Sequence, residues 1–157
     1  MRYMKNGFTL IELMIAISIT SVLVTFGVSA YGKARERQIG QNAHEIILST
    51  LNSNQTIAQI GKKDCTGKFI GQVVEFATPN LISFYSVCES GPGATTTLPP
   101  IDNITFGSSQ TVTFNPLSLG IDLGGGLNEQ ILSFTSVYGL TYQIKLTSSG
   151  TIEPVNN

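Results

Sequence analysis

Residues 8–31, FTLIELMIAISITSVLVTFGVSAY, constrain this chain more than any other segment, because sixteen of the twenty-four are apolar and only Glu12 is charged. Coiled as an α-helix, such a stretch reaches about 36 Å, enough to cross the ~30 Å hydrocarbon layer of a bilayer. The remaining chain is ordinary by comparison: 49 of its 133 residues are apolar, and Gly, Ser, Thr and Asn are abundant. Nine Lys and Arg stand against ten Asp and Glu, so the net charge of −1 lacks the basic excess of a general nucleic-acid binder. At 157 residues the chain has room for one modest domain and one core.

Three readings of the apolar segment compete. A cleaved secretory signal would use Arg2 and Lys5 as its basic region and Val28-Ser29-Ala30 as its small-residue site. The run is longer than the 7–15 apolar residues such a signal needs, and it carries an acid in its first turn. A plain membrane anchor fits the length but leaves Glu12 uncompensated, at a cost of roughly 2.5–3.5 kcal/mol. Loop charge does not orient it, because Lys33, Arg35 and Arg37 flank the far end as well. The third reading rests on the residues around Glu12.

Helical periodicity continues past residue 31. Ala34, Ile39, Ala43, Ile46, Ile47, Leu51, Ile57 and Ala58 recur mostly at three- and four-residue steps, with Arg35, Glu36, Gln41, Asn42, Glu45, Asn52 and Gln55 on the other side. No proline precedes Pro79, and Gly61 is a natural stop, so the spacing predicts a helix from Phe8 to about Ile60. Beyond Gly61 the period changes to two. Phe69–Ala77 and Leu81–Cys88 read as a hairpin about Thr78-Pro79-Asn80, and Ile101–Phe106 with Gln110–Phe114 as a second about Gly107-Ser108-Ser109. Gln130–Val137 and Leu140–Thr147 read as a third, followed by a short strand at Thr151–Pro154. Gly91–Pro100 and Leu117–Asn128 are loops, the latter with room for a short strand. The expected architecture is α+β, a long helix whose C-terminal half packs on an antiparallel sheet.

Residues 5–20 read KNGFTLIELMIAISIT. A short basic leader ending in Gly7, then Phe8, then a glutamate four residues on, resembles the class III signal of type IV pilins and type II secretion pseudopilins. That resemblance implies a pilin-like fold with a leader at 1–7, a transmembrane and assembly helix at 8–31, and a globular domain at 32–157. The domain would comprise an amphipathic helix half, 32–61, and a sheet region, 62–157. A membrane prepilin peptidase would cut between Gly7 and Phe8 and N-methylate the new Phe8 amine. Glycine suits the cut, since the absence of Cβ lets the protease approach the backbone. Glu12 would pair with the N-terminal amine of a neighbouring subunit, and leaving one member of such a pair unmatched costs roughly 3–5 kcal/mol. The competing reading of Glu12 is a carboxylate snorkelling to the interface one turn away.

The resemblance further implies a structural subunit with no cofactor and no catalytic residue. Its partners would be the peptidase, other pilin or pseudopilin subunits, an inner-membrane assembly platform and membrane lipid, with nucleic acid not expected. The protein would be single-pass in the inner membrane, N-terminus cytoplasmic and domain outside, until drawn into a filament. The ending TYQIKLTSSGTIE, residues 141–153, is similar to the closing strands of GspH/FimT-type minor pseudopilins. Many major pilins carry a helix-kinking proline where this chain has none. A minor pseudopilin is therefore the expected role; a type IV pilin for attachment, motility or DNA uptake, and a membrane-anchored binding protein that never polymerises, are the alternatives.

The other candidate residues carry bland readings. His44 beside Glu45 lacks a catalytic arrangement and is expected to be solvated or packed on the sheet. Asp122 with Gly124-Gly125-Gly126 and Asn128-Glu129 does not match the oxygen spacing of an EF-hand and reads as a Gly-rich turn. No metal-ligand spacing is present, so no metal site is expected. Lys62, Lys63 and Lys68 form a small basic patch that reads as a solvated face. Cys65 and Cys88 lie near the open end of the first hairpin; a disulfide and two free buried thiols both remain open, with the bridge the adopted expectation.

Overall fold

Helix α1 spans Leu10–Ile60 in the computed structural model, which describes residues 9–118 and 120–155. Its end is set by Gly61, whose φ of 67° is left-handed. The Gly61 N–H donates to Ala58 O at 3.2 Å and the Lys62 N–H to Ile57 O at 3.1 Å, the paired bonds of a Schellman cap. Two compact units divide between Arg37 and Gln38. In the first, every side chain from 9 to 28 is exposed, so the apolar surface of this helical stretch has no protein partner among the described residues.

In the second unit, α1 contributes one narrow stripe: Gly40, Ala43, Ile47, Leu51, Asn54 and Ala58 are buried, at steps of three and four. Ile46, placed on the apolar face by its spacing, is 44% exposed, whereas Gly40 and Asn54 are inside. The helix therefore meets the sheets along a seam narrower than its apolar composition suggests.

The strands form two sheets rather than one. The first contains β1 (Phe69–Ala77), β2 (Leu81–Cys88), β3 (Gly91–Pro92), β4 (Thr96–Thr97), β6 (Gln110–Phe114) and β7 (Ile121–Asp122). Its order is β3-β2-β1-β6-β7, with β4 also pairing β2. The second, in the order β10-β9-β8-β5, contains β5 (Ile104–Phe106), β8 (Glu129–Ser136), β9 (Thr141–Thr147) and β10 (Ile152–Val155). All described pairings are antiparallel.

The first and third hairpins form as their turn residues predict. The second does not. β5 pairs with β8, placing Phe106 across from Phe134, while β6 pairs with β1, placing Val112 across from Val74. Gly107-Ser108-Ser109 thus carries the chain from one sheet to the other. A three-residue polar break between alternating strands serves a crossover as well as a hairpin, and distant apolar partners decide which forms.

One core joins both sheets and α1. Val74, Phe76, Ile82, Val112 and Phe114 from the first sheet meet Phe106, Leu132, Phe134, Ile144 and Leu146 from the second, against Ile47 and Leu51 of the helix. The aromatic rings run across the junction: Phe76 to Phe106 edge-on at 5.4 Å, Phe106 to Phe134 at 6.3 Å, and Phe134 stacked on Tyr142 at 5.4 Å. Such pairs add about 0.5–1.5 kcal/mol each beyond the area they bury. Backbone bonds close the junction: the Phe106 N–H donates to Pro79 O at 2.7 Å and the Ile121 N–H to Ser148 O at 3.0 Å. Gly120, at φ 87°, is needed beside the second bond, because a Cβ there would strike Ser148 O.

Candidate functional site

The N-terminal candidate is built by the first turn of α1. Thr9 is its N-cap: the Thr9 Oγ1 accepts from the Glu12 N–H at 3.3 Å. In return Glu12 Oε2 accepts from the Thr9 N–H at 3.1 Å and from the Thr9 hydroxyl at 3.1 Å. This is a capping box, two helix-end donors satisfied reciprocally, with the acid at the positive end of the helix dipole. The signal is Thr-x-x-Glu ahead of an apolar run; judging Glu12 by its membrane cost alone passes over it. Gly7 and Phe8, the expected cleavage junction and methylated residue, lie outside the described residues, as does the leader.

Past this turn the helix hides its polar atoms within itself. The hydroxyls of Ser18, Thr20 and Thr25 donate to Met14 O, Ala16 O and Ser21 O at 2.8, 2.6 and 2.8 Å, and Ser21 donates to Ser18 O at 3.1 Å. Hydroxyls that back-bond to their own helix remove the main penalty of placing Ser and Thr in hydrocarbon. Among the described residues this is the one helix long and apolar enough to cross a membrane. Gly27 and Gly32 sit in unbroken helix with open space where a Cβ would stand.

In the second unit Cys65 and Cys88 form a disulfide, with Cα atoms 5.9 Å apart, tying the segment after α1 to the last residue of β2. Lys63 Nζ donates to Gly67 O in the same loop. A cleft of about 250 Å³ opens nearby, rimmed by Lys62, Lys63 and Asp64 and floored by Gln72 and Ser86. Its floor belongs to a buried chain of polar side chains: Ser86 Oγ donates to Gln72 Oε1 at 2.9 Å, Gln72 Nε2 to Asn54 Oδ1 at 3.0 Å, and Asn54 Nδ2 to Thr50 O at 2.9 Å. Asn54 and Gln72 are only 2% and 3% exposed. Sequence patterning gives no sign of this chain, since polar residues at 54, 72 and 86 look like breaks in the apolar pattern.

The remaining candidates stay apart. Asp122 Oδ1 accepts from the Gly124 N–H at 2.9 Å, an Asx-type turn bond that orders the glycine run. Lys145 pairs with Glu129 at 2.5 Å on an exposed sheet face, which raises the ammonium above its usual range. No group of three or more His, Cys, Asp and Glu side chains able to hold a metal gathers among the described residues. His44 packs on the second sheet, its ring centroid 6.2 Å from those of Phe134 and Tyr142.

A family model described as the prokaryotic N-terminal methylation motif matches residues 2–28. Neither the curated proteins nor the solved structures returned a match. The motif implies processing by a prepilin peptidase and assembly with other pilin-like subunits in general, and the apolar helix that follows it is consistent with a single-pass membrane anchor. The chain thus carries the prokaryotic N-terminal methylation motif at residues 2–28, followed by a long helix and antiparallel sheets, an arrangement similar to that of type IV pilins and pseudopilins.

Proposed function

We infer that the chain is a minor pseudopilin, a structural and assembly subunit of a type II secretion-like filament rather than an enzyme. The methylation motif over residues 2–28, running into an exposed apolar helix, carries this reading. The absence of proline from α1, set against the kinked helix of many major pilins, favours a minor subunit.

The chemistry follows from the helix end. The subunit waits in the inner membrane with its N-terminus in the cytoplasm. The peptidase cuts between Gly7 and Phe8 and methylates Phe8, leaving a cationic amine next to the N-cap Thr9. A cation at this end of a helix is disfavoured by the dipole. A neighbouring subunit's Glu12 relieves it: in low dielectric the two charges neutralise one another and fix the axial step between subunits. The assembly platform then draws paired subunits out of the bilayer.

Intact mass of the protein from its native membrane tests this. The expected species lacks residues 1–7 and carries one added methyl group; an uncut, unmethylated chain overturns the reading. Loss of the gene should impair secretion of exported proteins. Intact secretion with lost attachment, motility or DNA uptake would instead assign the subunit to a type IV pilus.

A further inference from the structure

We propose that His44 is a pH-sensitive latch: its protonation loosens the docking of α1 on the second sheet. The ring lies at the helix–sheet seam between Ala43 and Ile47, against Phe134 of β8 and Tyr142 of β9, whose own rings stack at 11°. Tyr142 reaches this place because Gly40, one turn earlier, has no side chain; a Cβ there would overlap the tyrosine ring. His44 Nε2 is buried and has no hydrogen-bond partner among the described residues. Neutral imidazole tolerates this as one unsatisfied polar atom. Imidazolium does not, because a charged N–H would be held in an apolar seam with nothing to accept it.

The charges near the ring do not rescue it. On its own helix Glu45 is adjacent and exposed, and it favours the cation only partly against burial. From β9 the Tyr142 phenol faces the ring, and from β8 the uncharged Phe134. Glu129 of β8 and Lys145 of β9 belong to the opposite face of the sheet, where they bind each other, and Glu153 of β10 lies across from Lys145. A cation–π contribution from the two aromatic rings is weak, because both centroids lie at the limit of its ~6 Å range. Burial therefore dominates, and the ring titrates below its ordinary 6.5. The unfolded chain takes up the proton at about 6.5 while the native chain resists it. The latch is consequently complete above pH 6.5 and weakens as pH falls below it.

His44 is the chain's one histidine, so its ring resonance can be followed without assignment in the full chain held in detergent micelles. The expected titration midpoint lies below 6.5. The wild-type Tm should be lower at pH 5.5 than at pH 7.5, by roughly 3 °C or more, while His44→Phe keeps the same Tm at both. His44→Gln serves equally where the larger ring disrupts folding. The carboxylates and the terminal amine contribute alike to wild type and variant. A midpoint at or above 6.5, or an equal fall in Tm for wild type and the variant, overturns the proposal. Neither readout depends on cleavage, membrane insertion or filament formation.

Discussion

At the residue scale, small side chains and buried amides do what the apolar pattern does not announce. Gly40 stands in a helix interior, where glycine costs about 1 kcal/mol relative to alanine. It is there because Tyr142 occupies the space of its Cβ. Gly40→Leu should therefore destabilise the domain by about 1–3 kcal/mol through overpacking, read from denaturant unfolding of the full chain in micelles. Gly32→Ala, with open space at its Cβ, should cost nothing and gain helix propensity; a Gly40→Leu variant equally free of loss would show that the Tyr142 ring does not explain Gly40. Asn54 makes the complementary point. Its place in the buried stripe is set by helical spacing, but its tolerance there depends on Gln72, eighteen residues away on β1. An amide alone in such a position would be costly; with Gln72 and Ser86 it completes a satisfied chain.

At the scale of elements, α1 was legible nearly to its ends. The absence of proline, the period of its apolar residues and Gly61 place its body and stop, and the Thr9–Glu12 spacing holds its start. Hairpins with short turns were equally legible. The Ile104–Phe106 and Gln110–Phe114 pair was not, because alternation states which face of a strand is apolar and not which strand lies beside it. The disulfide also acts at this scale. It closes a loop across a separation of 23 residues, so the chain-entropy model assigns it about 3 kcal/mol. The double variant Cys65→Ser with Cys88→Ser should lose that much stability while far-ultraviolet circular dichroism stays unchanged. A chain of unaltered stability would mean that the Lys63–Gly67 and strand bonds hold this loop without the bridge.

For the whole molecule, the decisive prediction concerns assembly. Glu12 lies in an exposed first turn, where its carboxylate caps its own helix. Glu12→Val removes both the acidic half of the capping box, which accepts from Thr9, and the partner proposed for a neighbour's amine. Membrane insertion should persist, since a valine replaces the one costly charge of the span, while incorporation into filaments should fall sharply. Filaments assembling at wild-type levels would leave Glu12 with only its capping role. Sequence alone determined what local chemistry can carry: the methylation motif, the apolar span with its single acid, the helix stop at Gly61 and the adjacent hairpins. Tertiary structure decided the division into two sheets, the buried Asn54–Gln72–Ser86 chain, the match of Gly40 to Tyr142 and the aromatic seat of His44. Those features depend on residues far apart in the chain, whose pairing is selected by packing and desolvation in the folded state rather than by any pattern in the neighbouring sequence.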